Sequence, residues 1–149
     1  ENVPYIVGLA TALRLAYEEA GAANPRIARL RDKLVNGVLA RIPDSQLSGH
    51  PTQRLPNSAS FLFSYVEGES ILLNLDLLGV AASSGSACTS GSLEPSHVLI
   101  AMGFPHEIAH GSLRLTLGKE NTEEDVDFIL EILPGIIEKL RLMSPLYKS

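Results

Sequence analysis

The chain's one cysteine, Cys88, stands inside the run Ala82-Ser-Ser-Gly-Ser-Ala-Cys-Thr-Ser-Gly-Ser-Leu-Glu-Pro95. The run is too polar for a core and lacks the repeating apolar positions of a helix or strand, so it reads as a loop. Structureless loops of about a dozen residues are uncommon in compact domains and usually serve a function. A lone cysteine is often only a small buried hydrophobe, but burial needs apolar flanks, and the nearest here are Ala87 and Leu93. An exposed thiol titrates near ~8.5, so a modest electropositive influence leaves part of it as thiolate, the reactive form. The residue types point to a nucleophile on an arm that can reach solvent or a partner.

A second candidate is Arg114, on the polar side of the alternating run Ser112-Leu-Arg-Leu-Thr-Leu117. Its planar fork of donors suits a carboxylate bidentately. A structural ion pair with a glutamate explains the residue equally well, and the residues by themselves leave both readings open. A third candidate, His106-Glu-Ile-Ala-His110, has the form H-E-x-x-H, in which two histidines one turn apart bind zinc. Pro105 and Gly111 fence it to about one and a half turns, and no third ligand stands out downstream, so no metal site is expected. His50 and His97 are isolated.

The elements that must position these residues follow from periodicity. Ile6, Leu9, Ala10, Leu13, Ala16, Tyr17 and Ala20 recur at helical spacing up to Gly21, and Asn24-Pro25 predicts the start of a second helix carrying Ile27, Leu30, Leu34 and Val38 inward. Arg26, Arg29, Arg31 and Lys33 then form its solvated side. Gln46 to Gly49 predicts a short edge strand and Ser58 to Val66 a longer one. Gly68 to Gly79 predicts a helix, and Val80-Ala81-Ala82 a short strand delivering the chain to the cysteine run. Short helices are expected from Pro95 to Gly103 and from Pro105 to Gly111, followed by a half-buried strand over Ser112–Leu117. Thr122 with Asp125 is a capping-box start to a last helix that Pro134 should kink. This mixture predicts one two-layer α+β domain, with a sheet of three or four strands packed on one side by helices.

Composition narrows the classes. The 149 residues, 45% apolar and 19% charged, suffice for one domain with a real core. A net charge of −5 with scattered Lys and Arg gives no footprint for nucleic acid. No apolar run approaches the ~20 residues that cross a bilayer, so no membrane span is expected. A single cysteine without an internal partner fits a reducing compartment, and a cytoplasmic protein is expected. The start at Glu1, directly in a helical pattern, suggests a fragment.

Taken together, Ser83-Ser-Gly-Ser-Ala-Cys88-Thr-Ser-Gly-Ser-Leu-Glu-Pro-Ser96, Tyr65-Val-Glu-Gly-Glu-Ser70 and Leu113-Arg-Leu-Thr-Leu-Gly118 resemble the cysteine desulfurases. These are pyridoxal-phosphate enzymes of the class V aminotransferase superfamily that supply sulfur for iron–sulfur clusters. The resemblance runs from Glu1-Asn-Val-Pro4 to Ser144-Pro-Leu-Tyr147 and points to the group with a long, mobile cysteine loop. It implies that Cys88 is the catalytic cysteine, which takes sulfur from L-cysteine as a persulfide and leaves L-alanine, and that Arg114 holds the substrate carboxylate. It further implies a sulfur-acceptor or iron–sulfur scaffold protein as partner and a homodimer for the whole enzyme.

The resemblance also marks a gap. Such enzymes bind pyridoxal 5′-phosphate through a lysine, yet Lys33, Lys119, Lys139 and Lys148 stand in no matching motif. Residues 1–149 are therefore expected to be the C-terminal small domain of a fold-type I transferase, residues 1–20 being the helix that joined it to an absent N-terminal cofactor domain. No cofactor-binding residue, bound cofactor or turnover is expected of this chain alone. The competing reading is a non-catalytic sulfur-carrier or scaffold-docking module, distinguished by whether a lysine-bearing domain is encoded upstream.

Overall fold

A computed structural model describes residues 1–84 and 94–147. In chain order the elements are α1 (Val3–Arg41), β1 (Ser45–Leu47), β2 (Ser58–Phe63), α2 (Gly68–Asp76), α3 (His97–Ala101), α4 (His106–Ala109), β3 (Ser112–Thr116) and α5 (Glu123–Met143). The three strands form one antiparallel sheet in the order β1-β2-β3. The expected α+β class and the expected small sheet are what the chain adopts.

The sheet's register sorts side chains by face. Phe61 pairs with Leu47 on one side and Leu113 on the other, and Ala59 pairs with Leu115. With Phe63 these residues form a face that α1, α2 and α5 cover through Leu30, Leu34, Val38, Ile71, Leu75, Val126, Leu133 and Ile137. Phe61, Phe63 and Leu113 are fully buried. The helices α1 and α5 cross so closely that a Cβ on Gly37 would lie 2.5 Å from Leu130 Cδ2. Helix α5 begins as expected: Thr122 Oγ1 accepts from Asp125 N at 3.3 Å, and Asp125 Oδ2 accepts from Thr122 N at 3.0 Å. It runs on through Pro134 to Met143.

Three expectations are corrected. Helix α1 is a single helix through Gly21 and Pro25 rather than two. Proline removes one N–H and crowds the carbonyl four residues earlier. Here that residue is Gly21; Ala22 and Ala23 favour helix, and from Ile27 onward the helix is packed into the core, which outweighs the local cost. Arg31, placed above on the solvated side, is buried: its Nη1 donates to Leu55 O at 2.7 Å, and its Nε to Asp32 at 2.8 Å. Residues 80–82 form no strand; the chain touches the sheet only at Ser83, by an isolated bridge to Arg114.

The helices are also not confined to one side. Leu62, on the opposite face of β2, packs with Leu99 of α3 and Ala109 of α4. The junction is tight: Gly111 leaves no room for a Cβ beside Phe63 O, while its own carbonyl accepts from Phe63 N at 2.9 Å.

Candidate functional site

On that second face, Ser58, Ser60 and Leu62 of β2 pair with Thr116, Arg114 and Ser112 of β3. Helices α3 and α4 close only the Leu62 end. Arg114 and Thr116 are exposed and Ser60 is half-buried, leaving a polar shelf with one cation on it. The alternation that put Leu113 and Leu115 in the core therefore put Arg114 where a ligand can reach it.

Arg114 forms no ion pair among the described residues, so the structural alternative for this arginine is not realised there. Its Nη2 donates to Ser83 Oγ at 3.4 Å, and Ser83 Oγ in turn donates to Ser84 O at 2.9 Å. The two backbones are joined as well: Arg114 N donates to Ser83 O at 2.6 Å and Ser83 N to Arg114 O at 3.2 Å. The residue five positions before Cys88 is thus stitched to Arg114. Cys88 itself lies outside the described residues. No sequence pattern announced the Ser83–Arg114 pairing, because a single bridge between distant segments leaves no periodic signal.

His106 and His110 bound a four-residue helix, and His110 Nδ1 lies 3.6 Å from Glu67 Oε2. His50 Nδ1 accepts from Thr52 N at 3.2 Å and Gln53 N at 2.8 Å, shaping its own loop. Among the described residues no three His, Cys, Asp or Glu side chains converge as metal ligands. A cavity of about 700 Å³ lies between the turn at Ser64–Glu67, α4 and the end of α5, and another of about 460 Å³ between Leu78–Ala81, Leu115–Leu117 and α5. Neither is lined by Arg114 or by a lysine.

A cofactor anchor needs an amine easily deprotonated, and Lys33 does not fit that role. Lys33 Nζ lies 2.8 Å from Asp127 and 3.3 Å from Glu123, and its hydrogen bond to Asp127 pushes it above the usual lysine value. Lys119 lies 3.2 Å from Glu19, Lys139 is exposed on α5, and Lys148 is outside the described residues.

This is a small antiparallel α+β domain with an arginine, bonded to Ser83 and without an ion pair among the described residues, on its open sheet face, and the family comparison supplies its setting. The profile of the family described as Aminotransferase class-V matches residues 1–129, and the chain belongs to that family. Within it the chain is similar to cysteine desulfurases. It is 57% identical to cysteine desulfurase IscS 1 of Archaeoglobus fulgidus over 99% of its length, and 59% identical to cysteine desulfurase IscS of Methanosarcina thermophila over 98%. A solved NifS-like protein superposes with a TM-score of 0.79 at 34% identity, covering 94% of this chain and 35% of that one. The chain spans only 38% and 36% of the length of those two curated relatives.

Proposed function

We propose that this chain is the C-terminal small domain of a cysteine desulfurase. The observation that carries the reading is Arg114, exposed on the polar sheet face without a carboxylate partner among the described residues and bonded to the start of the Cys88 run. Arg114 binds the carboxylate of L-cysteine through its fork of donors and so orients the substrate. The Cys88 thiolate attacks the substrate's sulfur; a sulfur–sulfur bond forms and the Cβ–S bond breaks. The released electron pair stays on the substrate carbon, which takes up a proton to give L-alanine, and the enzyme is left as a Cys88 persulfide. The persulfide sulfur then passes to an acceptor protein that builds iron–sulfur clusters or other sulfur cofactors.

Pyridoxal 5′-phosphate and its lysine belong, in this reading, to an N-terminal domain of the whole protein, which is a cytoplasmic homodimer. Residues 1–20 of α1 support this placement. Val3, Tyr5, Ile6, Val7, Leu9, Leu13 and Tyr17 are each at least 59% exposed, an apolar surface left uncovered among the described residues. The test is mass spectrometry of the full-length enzyme after exposure to L-cysteine. One added sulfur, ~32 Da, is expected on the peptide holding Cys88 and none after Cys88→Ser. An added sulfur elsewhere, or unchanged sulfide release by Cys88→Ser, overturns the reading.

A further inference from the structure

We propose that Ser83 is a positioning residue for the carboxylate clamp, an inference that rests on the desulfurase reading of Arg114. An exposed arginine side chain on a sheet face is free to sample many rotamers, and freezing one on substrate binding costs free energy. Ser83 removes part of that freedom. Its hydroxyl has one hydrogen, given to Ser84 O at 2.9 Å, so the lone pair aimed at Arg114 Nη2, 3.4 Å away, can only accept. That contact takes one donor of the fork and leaves the others for a carboxylate. The backbone bridge, at 2.6 and 3.2 Å, fixes where the hydroxyl stands, because Ser83 N and O both bond to Arg114 itself. The clamp and the start of the cysteine-bearing segment therefore share one anchor, and a change in one guanidinium setting is felt at residue 83.

The experiment uses the full-length holoenzyme with Ser83→Ala, Ser83→Thr and Arg114→Ala. Ser83→Ala is expected to raise KM for L-cysteine roughly threefold to tenfold, the net weight of one ordinary hydrogen bond in water, with kcat within about twofold. The Kd for L-alanine, measured by calorimetry, weakens by the same factor, and Ser83→Thr restores both. Binding of cysteamine, which lacks the carboxylate, is unchanged by Ser83→Ala. Unchanged KM and Kd in Ser83→Ala beside a large rise in Arg114→Ala overturns the role of Ser83 and leaves the desulfurase reading standing. Equal weakening for cysteamine also overturns it, since the effect would then not pass through the carboxylate. Unchanged values in both variants overturn the reading of Arg114 itself.

Discussion

The two faces of the one sheet are built from alternate residues of the same strands and have opposite characters. Leu113 and Leu115 point into a core sealed by three helices, while Arg114 and Thr116, between and beside them, stand in the open. A shift of one residue in the pairing of β3 would exchange the two sets, so the burial of the leucines is what holds Arg114 outward. Stability is concentrated on one face, and the proposed carboxylate clamp lies on the other, so substitutions should separate them.

The largest effect is expected on the sealed face. Phe61→Ala should cost about 3–5 kcal/mol and Leu113→Ala about 2–5 kcal/mol in urea denaturation, by lost burial and the cavity left behind. Gly111→Ala should also destabilise strongly, because a Cβ there meets the Phe63 carbonyl; a lowered Tm by calorimetry checks it. On the open face the pattern reverses. Arg114→Ala should leave urea stability within about 0.5 kcal/mol, yet raise KM for L-cysteine at least about tenfold in the full-length enzyme. A stability loss as large as that of Leu113→Ala would erase the distinction between the faces.

Smaller effects belong to the end of the sheet. Thr122→Ala removes the N-cap of α5 and should cost about 1 kcal/mol by thermal unfolding. Asp125 accepts from Thr122 N, and then from Asn121, which hold its carboxyl below the usual aspartate value. A carboxylate lowered in the folded state adds stability above its unfolded value and loses it as pH falls through the lowered one. The Tm of the wild type should therefore fall more steeply with acid below about pH 4 than that of Asp125→Asn. Parallel curves would show that the cap contributes no pH dependence.

What the sequence disclosed depended on the range of the interaction. The alternation around Arg114 and the box at Thr122–Asp125 are local patterns of a few residues, and both appear where they were read. The continuity of α1 was hidden because Gly21 and Pro25 each signal an end, while the core packing from Ile27 onward that carries the helix past them is a tertiary effect. Arg31 was misplaced because charge spoke for solvent, whereas a carbonyl 24 residues on, Leu55 O, satisfies it. Ser83 was invisible for the same reason: its partner is 31 residues away and matched by no repeat. Cys88 is read from sequence alone, since it falls outside the described residues.

The 39 residues of α1 make a shaft about 58 Å long at 1.5 Å per residue. Its first contact with the body among the described residues is Glu19 against Lys119, followed by Arg26 bonded to Asn121 O, so residues 3–18 protrude as a lever of roughly 24 Å. Because no break interrupts it at Gly21–Pro25, torque on Leu9 or Leu13 is delivered undamped to the block that bears Arg114. A tilt of about 5° would swing a point one lever length away by close to 2 Å. Angstrom-scale misplacement of a reacting group can cost about a hundredfold in rate, so in the proposed enzyme the seating of that exposed end bears directly on where Arg114 stands.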